Sequence, residues 1–277
     1  MDGSINIPLA AAKIRKHAID AIYSANSGHP GGSLSIADIL AVLYFKVMNI
    51  NPQNPNWEDR DRLVLSKGHC SPALYGALAE RGFFPVEDLK GFRQANSYLQ
   101  GHPDMKGVPG VDMSTGSLGL GLSAANGMAL AGKLDNKTYK VYVILGDGEI
   151  EEGQVWEAAM FAAHHKLDNI IAFVDFNGLQ IDGEITEVMN PLPIDEKFKA
   201  FGWHVDIIDG HNLAEIEETI EKANHVKGKP SVIIAKTIKG KGVSFMENKA
   251  QWHGQAPETE LYEQAIKELN AQLEVLS

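Results

Sequence analysis

The chain has 277 residues, with 25 Lys and Arg against 36 Asp and Glu, a net charge of −11, and 44% of its residues are hydrophobic. Such a composition is ordinary for a globular protein with room for a large core, and the acidic balance argues against a nucleic-acid partner, which calls for a basic stripe. The single cysteine, Cys70, excludes an intrachain disulfide framework and any metal site built from several cysteines. The opening MDGSINIPLAAAKIRKHAID lacks the basic-then-apolar layout of a signal peptide. No apolar run approaches the roughly 20 residues that span a bilayer. A soluble, cytoplasmic protein that engages neither nucleic acid nor membrane is expected. Less ordinary are its 27 Gly and 10 His.

Helical spacing runs over residues 7–26 and stops at Ser27-Gly28-His29-Pro30-Gly31-Gly32, a run dense in turn-formers. A second helix from about Ser35 is read from Ile36, Ile39, Leu40, Leu43, Tyr44 and Val47, and a polar segment follows over 49–57. Residues 62–65 form a short strand candidate that enters Ser66-Lys67-Gly68-His69, and 72–81 read as a helix. From 91 to 116 periodicity is absent, and a loop that long in a compact domain is either functional or a misassigned element.

Regular alternation then begins. Residues 118–131 predict a small-residue helix, and 140–145 (KVYVIL) a strand ending at Gly146-Asp147-Gly148. A helix over 154–165 and a strand over 169–175 follow, then a helix near 194–201, a strand at 203–208, a helix at 213–226 and a strand at 231–236. The closing segment is amphipathic, with Leu261, Ala265, Leu269, Leu273 and Leu276 on one face; such a face usually packs on its own core and is also able to dock a partner. Strands without a polar side alternating with helices predict a doubly wound α/β fold, a mostly parallel sheet with helices on both faces. No repeat or low-complexity tract divides the chain, so 1–277 is read as a single domain. Ligands of such sheets bind beyond the carboxyl ends of the strands.

Two strands end in matching polar signatures, Gly146-Asp147-Gly148-Glu149 and Asp175-Phe176-Asn177-Gly178-Leu179. In a parallel sheet both reach the same edge, where Asp147 and Asn177 converge. A carboxylate and an amide oxygen, with phosphate or water completing the shell, suit Mg²⁺ or Ca²⁺ better than Zn²⁺. The glycines flanking Asp147 let the backbone approach an anion, and the N-terminus of the following helix favours one. A metal-bridged diphosphate is the ligand this pattern points to. Either signature alone also reads as an Asp-Gly or Asn-Gly turn.

Gly146-Asp147-Gly148, 28 further residues and then Asn177 resemble the thiamine diphosphate-binding motif. Ser27-Gly28-His29-Pro30-Gly31, Ser66-Lys67-Gly68-His69, Gly101-His102-Pro103-Asp104 and Trp252-His253-Gly254 resemble the histidine loops of transketolase, in that family's order. Thr115-Gly116-Ser117-Leu118-Gly119 is similar to its cofactor turn. The resemblance covers essentially the whole chain but only the N-terminal, diphosphate-binding domain of a full transketolase. It therefore implies the N-terminal subunit of a split enzyme that needs a C-terminal subunit, in a heterotetramer of two of each. The implied reaction transfers a two-carbon ketol unit from a ketose phosphate to an aldose phosphate, with thiamine diphosphate and Mg²⁺ or Ca²⁺. A ketol transferase acting on another sugar and a non-catalytic cofactor-binding homologue are the rival readings.

The same resemblance implies the residue roles. Asp147, Asn177 and the main-chain carbonyl of Leu179 would hold the metal. Gly148, Asn177 and the turn Gly116, Ser117, Leu118 would touch the diphosphate. His69 and His253 would contact the cofactor phosphates, His29 and His253 the acceptor aldehyde, and His102 the donor hydroxyls. Imidazoles suit a reaction that moves protons near neutral pH. Glu152 would join an acidic contact between cofactor sites across the assembly, and it reads equally as a carboxylate favoured in a first helical turn. His17, His164, His165, His204 and His225 fall in predicted helices or a strand and are read as structural, and His211 as part of a helix-entry turn. Cys70 is read as a small buried hydrophobe. Gly119-Leu120-Gly121-Leu122-Ser123-Ala124 fits a dinucleotide fingerprint but lacks the strand that must precede it. Where many family members have Pro and Gln in the cofactor turn, this chain has Ser117 and Leu120.

Overall fold

The computed structural model describes residues 6–277, so the first five residues of the opening segment lie outside it. Five parallel strands form one sheet: β1 (Arg62–Leu65), β2 (Val141–Gly146), β3 (Ile170–Phe176), β6 (His204–Asp209) and β7 (Ser231–Lys236), in the order β1-β2-β3-β7-β6. A two-stranded hairpin, β4 (Leu179–Gln180) with β5 (Gly183–Glu184), rises from the end of β3. Ten helices complete the described fold: α1 (Ile7–Ala25), α2 (Pro30–Ser35), α3 (Ala37–Val42), α4 (Ser71–Arg81), α5 (Gly121–Leu134), α6 (Gly153–His164), α7 (Ile185–Val188), α8 (Ile194–Ala200), α9 (Leu213–His225) and α10 (Thr259–Leu276). This is the doubly wound α/β architecture expected from the sequence.

The layering follows from the two-residue period of the strands. Tyr142, Ile144, Ile171, Phe173 and Ile233 pack on one face beneath α1, α3, α4 and α9. Val141, Val143, Ile170, Ala172 and Val232 pack on the other beneath α5, α6 and α8. Helix α6 links β2 to β3 and α9 links β6 to β7 in the opposite direction along the sheet, so right-handed crossovers put them on opposite faces.

Local chemistry sets the helix ends. The Asn6 side chain accepts from Leu9 N at 3.0 Å to start α1, and Asn26 at φ 47° ends it. Three boundaries differ from expectation. The run from Pro30 is helical, because Pro at the first turn has its φ preset. Helix α5 begins at Gly121, three residues later than expected, which leaves Ser117 and Leu118 in a free turn. A 3₁₀ turn (Glu149–Glu151) separates Asp147 from α6, so that helix does not follow the glycine motif directly. The hairpin β4–β5 and helix α7 carried no sequence signal, being only two to four residues each.

A third core places the end of the chain. Ala265 and Leu269 of α10 are fully buried against Ile19, Leu34, Val243, Met246 and Trp252. Burial of a Leu side chain contributes about 1.5–3 kcal/mol, and here it anchors the segment that carries His253. The inner face of α10 is thus covered by the chain's own core. No helix among the described residues is long and apolar enough to cross a membrane.

Candidate active site

The loops leaving β1, β2, β3 and β7 line an open cleft of about 230 Å³, at the strand edge where such sheets take their ligands. Gly146 pairs in register with Asp175, so Asp147 and Asn177 emerge side by side. Asp147 is buried; its Oδ1 accepts from Gly148 N at 3.0 Å and its Oδ2 from Gly178 N at 2.6 Å. Gly178 has φ +77°, which favours glycine and lets the second loop close on the first. Burial, helped by the charge of Asp175, pushes the Asp147 carboxyl up to about 7, against the pull of Gly178 N, Lys239 and Lys67. A carboxylate desolvated to this extent is stabilised by a cation.

Asn177 continues the set. Its Nδ2 donates to Asp175 Oδ2 at 3.1 Å, and its Oδ1 accepts from Leu179 N at 3.1 Å. The Leu179 carbonyl accepts from Lys239 Nζ at 2.9 Å, so this position already attracts positive charge. One carboxylate, one amide oxygen and one main-chain carbonyl are hard oxygen donors that fit Mg²⁺ or Ca²⁺. Among the described residues no cluster of three or more His, Cys, Asp or Glu has metal-binding geometry, so a zinc-type set is absent there.

Three of the four expected histidines converge. Ring centroids of His29 and His69 are 5.1 Å apart, those of His29 and His253 5.5 Å, and those of His69 and His253 5.1 Å. His29 caps α2, His69 lies in a 3₁₀ turn (Gly68–Cys70), and His253 ends the turn Ala250–His253 that α10 anchors. Burial, then Arg93, His102 and Lys239, push His29 down to about 4. Burial, then Lys239, His29 and Lys67, push His253 down to about 3, and His69 also falls well below its ordinary value, first through burial. All three rings are neutral near pH 7, each with one donor and one acceptor nitrogen. Lys239 Nζ lies 3.1 Å from His253 Nδ1, which makes Nδ1 the acceptor.

His102 stands apart. It is exposed, and its ring packs on Gly116, where a Cβ would come within 3.1 Å of the His102 Cγ. Ser117 and Leu118 are exposed in the same turn, and Leu118 lines the cleft as Gly148 does. Glu152 is exposed and outside the cleft wall, with its Cβ 2.8 Å from the position a Gly119 Cβ would take.

Four groups were given no role from the sequence, although Lys67, Glu149 and Asp175 lie inside its motifs. Lys67 and Asp175 form a buried ion pair at 2.6 Å beneath the cleft, with side-chain exposures of 2% and 0%. Burial pulls the Lys67 ammonium down, and Asp175 and Cys70 together hold it above its ordinary value. Glu149, also buried, accepts from Gly119 N and Gly146 N, each at 3.0 Å, and from Ser66 Oγ, and so ties the turn at 116–119 to the glycine motif. Lys239 points into the cleft from beyond β7. Lysines and acids placed just past strand ends were the available signal. Away from the cleft, His17 bonds Glu80 at 2.6 Å, and His211 Nδ1 bonds Asp38 at 2.7 Å while its Nε2 accepts from Ile238 N at 2.8 Å.

Comparison with known proteins identifies the family. Residues 8–274 match the family described as transketolase, thiamine diphosphate binding domain. The chain is 52% identical to the 6-deoxy-6-sulfo-D-fructose transketolase subunit SqwG of Clostridium sp. (strain MSTE9), over 96% of each. It is 43% identical to an apulose-4-phosphate transketolase subunit of Phocaeicola vulgatus, over 98% of this chain and 96% of that one. Among solved structures, transketolase from Campylobacter jejuni superposes with a TM-score of 0.89 at 36% identity, over 99% of this chain but 46% of that one. The chain belongs to the transketolase family and corresponds to its thiamine diphosphate-binding domain.

Proposed function

We propose that this chain is the N-terminal subunit of a two-subunit transketolase and that its cleft holds the metal-bound diphosphate of thiamine diphosphate. Asp147, Asn177 and the Leu179 carbonyl bind Mg²⁺ or Ca²⁺. When bound, the diphosphate would be held by Gly148, Asn177 and the turn Gly116–Leu118 together with His69, His253 and Lys239. The observation that carries this reading is the pairing of a buried, cation-seeking carboxylate with an oriented amide on adjacent strands, facing a lysine and three neutral imidazoles.

The bound cofactor supplies the nucleophilic carbon that accepts and releases the two-carbon ketol unit. The protein's own groups position it and move protons. Neutral His29 and His253 are suited to give a proton to the acceptor aldehyde oxygen as it becomes a hydroxyl, and His102, on the rim, to bond donor hydroxyls. Glu152, on the exposed side of the turn, is placed to meet the neighbouring site of the assembly.

The partner is a C-terminal transketolase subunit, in a heterotetramer of two of each working in the cytoplasm. The two relatives that this chain covers almost end to end are both called subunits, which supports a divided enzyme. Their names also carry two different sugars, so the donor here is a ketose bearing a phosphate or another anionic group.

The test is reconstitution with the cognate C-terminal subunit. With Mg²⁺ and thiamine diphosphate, ketol transfer from xylulose 5-phosphate, apulose 4-phosphate or 6-deoxy-6-sulfo-D-fructose is expected from the mixture and from neither component by itself. Full activity of this chain in isolation would overturn the divided-enzyme reading.

A further inference from the structure

Asp175 lies directly under the proposed cation donors and is fully buried. Its Oδ2 accepts from Lys67 Nζ at 2.6 Å, Ser35 Oγ at 2.7 Å and Asn177 Nδ2 at 3.1 Å, while Oδ1 accepts from Thr237 Oγ1. These donors come from the β1 exit, α2, the β3 exit and the β7 exit. Lys67 Nζ also donates to Gly32 O at 2.9 Å, which closes the network back onto α2. Stability alone is a weak account of such a pair, because the desolvation of two buried charges commonly cancels their attraction.

An asparagine amide has two ends of nearly equal size, one carrying lone pairs and the other hydrogens. Facing a cation, only the oxygen end attracts. We propose that Asp175 is a positioning residue: by receiving Asn177 Nδ2 it locks the amide with Oδ1 toward the cation shared with Asp147, and Lys67 holds that carboxylate in place. This rests on the cofactor reading above. The proposal gives the buried pair a purpose in binding and makes the metal site dependent on α2 and on the loops after β1 and β7.

The experiment uses the chain reconstituted with its C-terminal subunit, with saturating thiamine diphosphate and Mn²⁺ as the probe, followed by the loss of the free-ion electron paramagnetic resonance signal. Two variants are compared. Lys67→Met/Asp175→Leu replaces the pair with apolar side chains, and Asp175→Glu keeps the charge for Lys67 but displaces the carboxylate by one methylene. Either variant that melts cooperatively is expected to bind Mn²⁺ about 10–100-fold more weakly, the usual effect of losing an outer partner of a metal ligand. Asn177→Ala added to it should then cost clearly less than the same change costs in the wild-type chain, because both changes remove one interaction. Wild-type affinity in a folded variant, or fully additive losses, would overturn the positioning role. Failure of the wild-type assembly to bind Mn²⁺ with the cofactor would instead overturn the cofactor reading.

Discussion

The cleft has two halves that are built differently. In the cation half, Asp147 and Asn177 sit within two residues of paired strand positions, and backbone N–H groups of Gly148, Gly178 and Leu179 fix their oxygens. In the histidine half, rings from positions 29, 69 and 253 meet at centroid separations of 5.1–5.5 Å with little bonding between them. The His29 Nδ1 atom is buried without a hydrogen-bond partner, and Lys239 is the clearest tether, on His253. The first half is organised by the sheet itself. The second depends on how α2, the turn after β1 and the α10-anchored segment pack together. On the proposed reading, the cation half binds and the histidine half exchanges protons.

The largest expected effect breaks the cation half. Asp147→Ala and Asn177→Ala should each weaken Mg²⁺-dependent binding of thiamine diphosphate by about 100-fold or more, beyond the range seen for outer partners. Titration calorimetry of the reconstituted enzyme reads this directly. Cofactor affinity surviving both changes would show that the cation half has been misplaced. The corresponding cut in the other half is His29→Asn, assayed in the reconstituted enzyme. Ketol transfer should fall by about 10²–10⁴-fold, the range for a lost general acid or base, with cofactor affinity held within about threefold. A parallel loss of affinity would erase the division between the halves.

The two halves were also unequally legible in the sequence. The strands KVYVIL and NIIAFVD, each apolar on both faces, implied the parallel sheet and hence the meeting of Asp147 with Asn177. The histidine convergence followed from family resemblance, because no local pattern relates residues 29, 69 and 253. His102 was grouped with them by its loop context, yet it packs on Gly116 at the rim. Lys67 and Asp175 were not legible because a charged residue in a short apolar run looks like a strand end, and only the register reveals its partner 108 residues away. The helical run from Pro30 was hidden by Gly31 and Gly32, which punctuate sequences as turns. Here they are needed for space: a Cβ on Gly32 would stand 2.8 Å from Cys70 Sγ, and one on Gly31 2.9 Å from the Trp252 carbonyl.

A moderate effect comes from pH, where the halves oppose each other in the metal-free chain. His29 titrates at about 4 when folded against an ordinary 6.5, so between those values the unfolded chain binds more protons and stability rises with pH. That contribution is complete above about 6.5 and is lost as pH falls toward 4. Asp147 titrates at about 7 when folded against 3.8, so the folded chain binds more protons and stability falls as pH rises through that window. Urea midpoints measured from pH 4 to 7 should therefore climb more steeply with pH in Asp147→Asn than in the wild type, and less steeply in His29→Asn. Identical slopes in all three proteins would contradict the opposition.

The smallest effect concerns Cys70, which follows His69 and invites a nucleophile into the histidine half. Its side chain is fully buried and fills the wall behind the first turn of α2, close against Gly32. Burial pushes its thiol up, outweighing the nearby Lys67 ammonium. A nucleophilic cysteine works as the thiolate, and this one is a protonated thiol at neutral pH. Cys70→Ala should cost about 1 kcal/mol, an ordinary value for a conservative buried change, read from urea unfolding. Ketol transfer in the reconstituted enzyme should stay within about twofold, since proton exchange in this half belongs to the imidazoles. A folded Cys70→Ala protein with activity reduced a hundredfold or more would place a covalent step beside His69, and the histidine half would then bond to the substrate as well as protonate it.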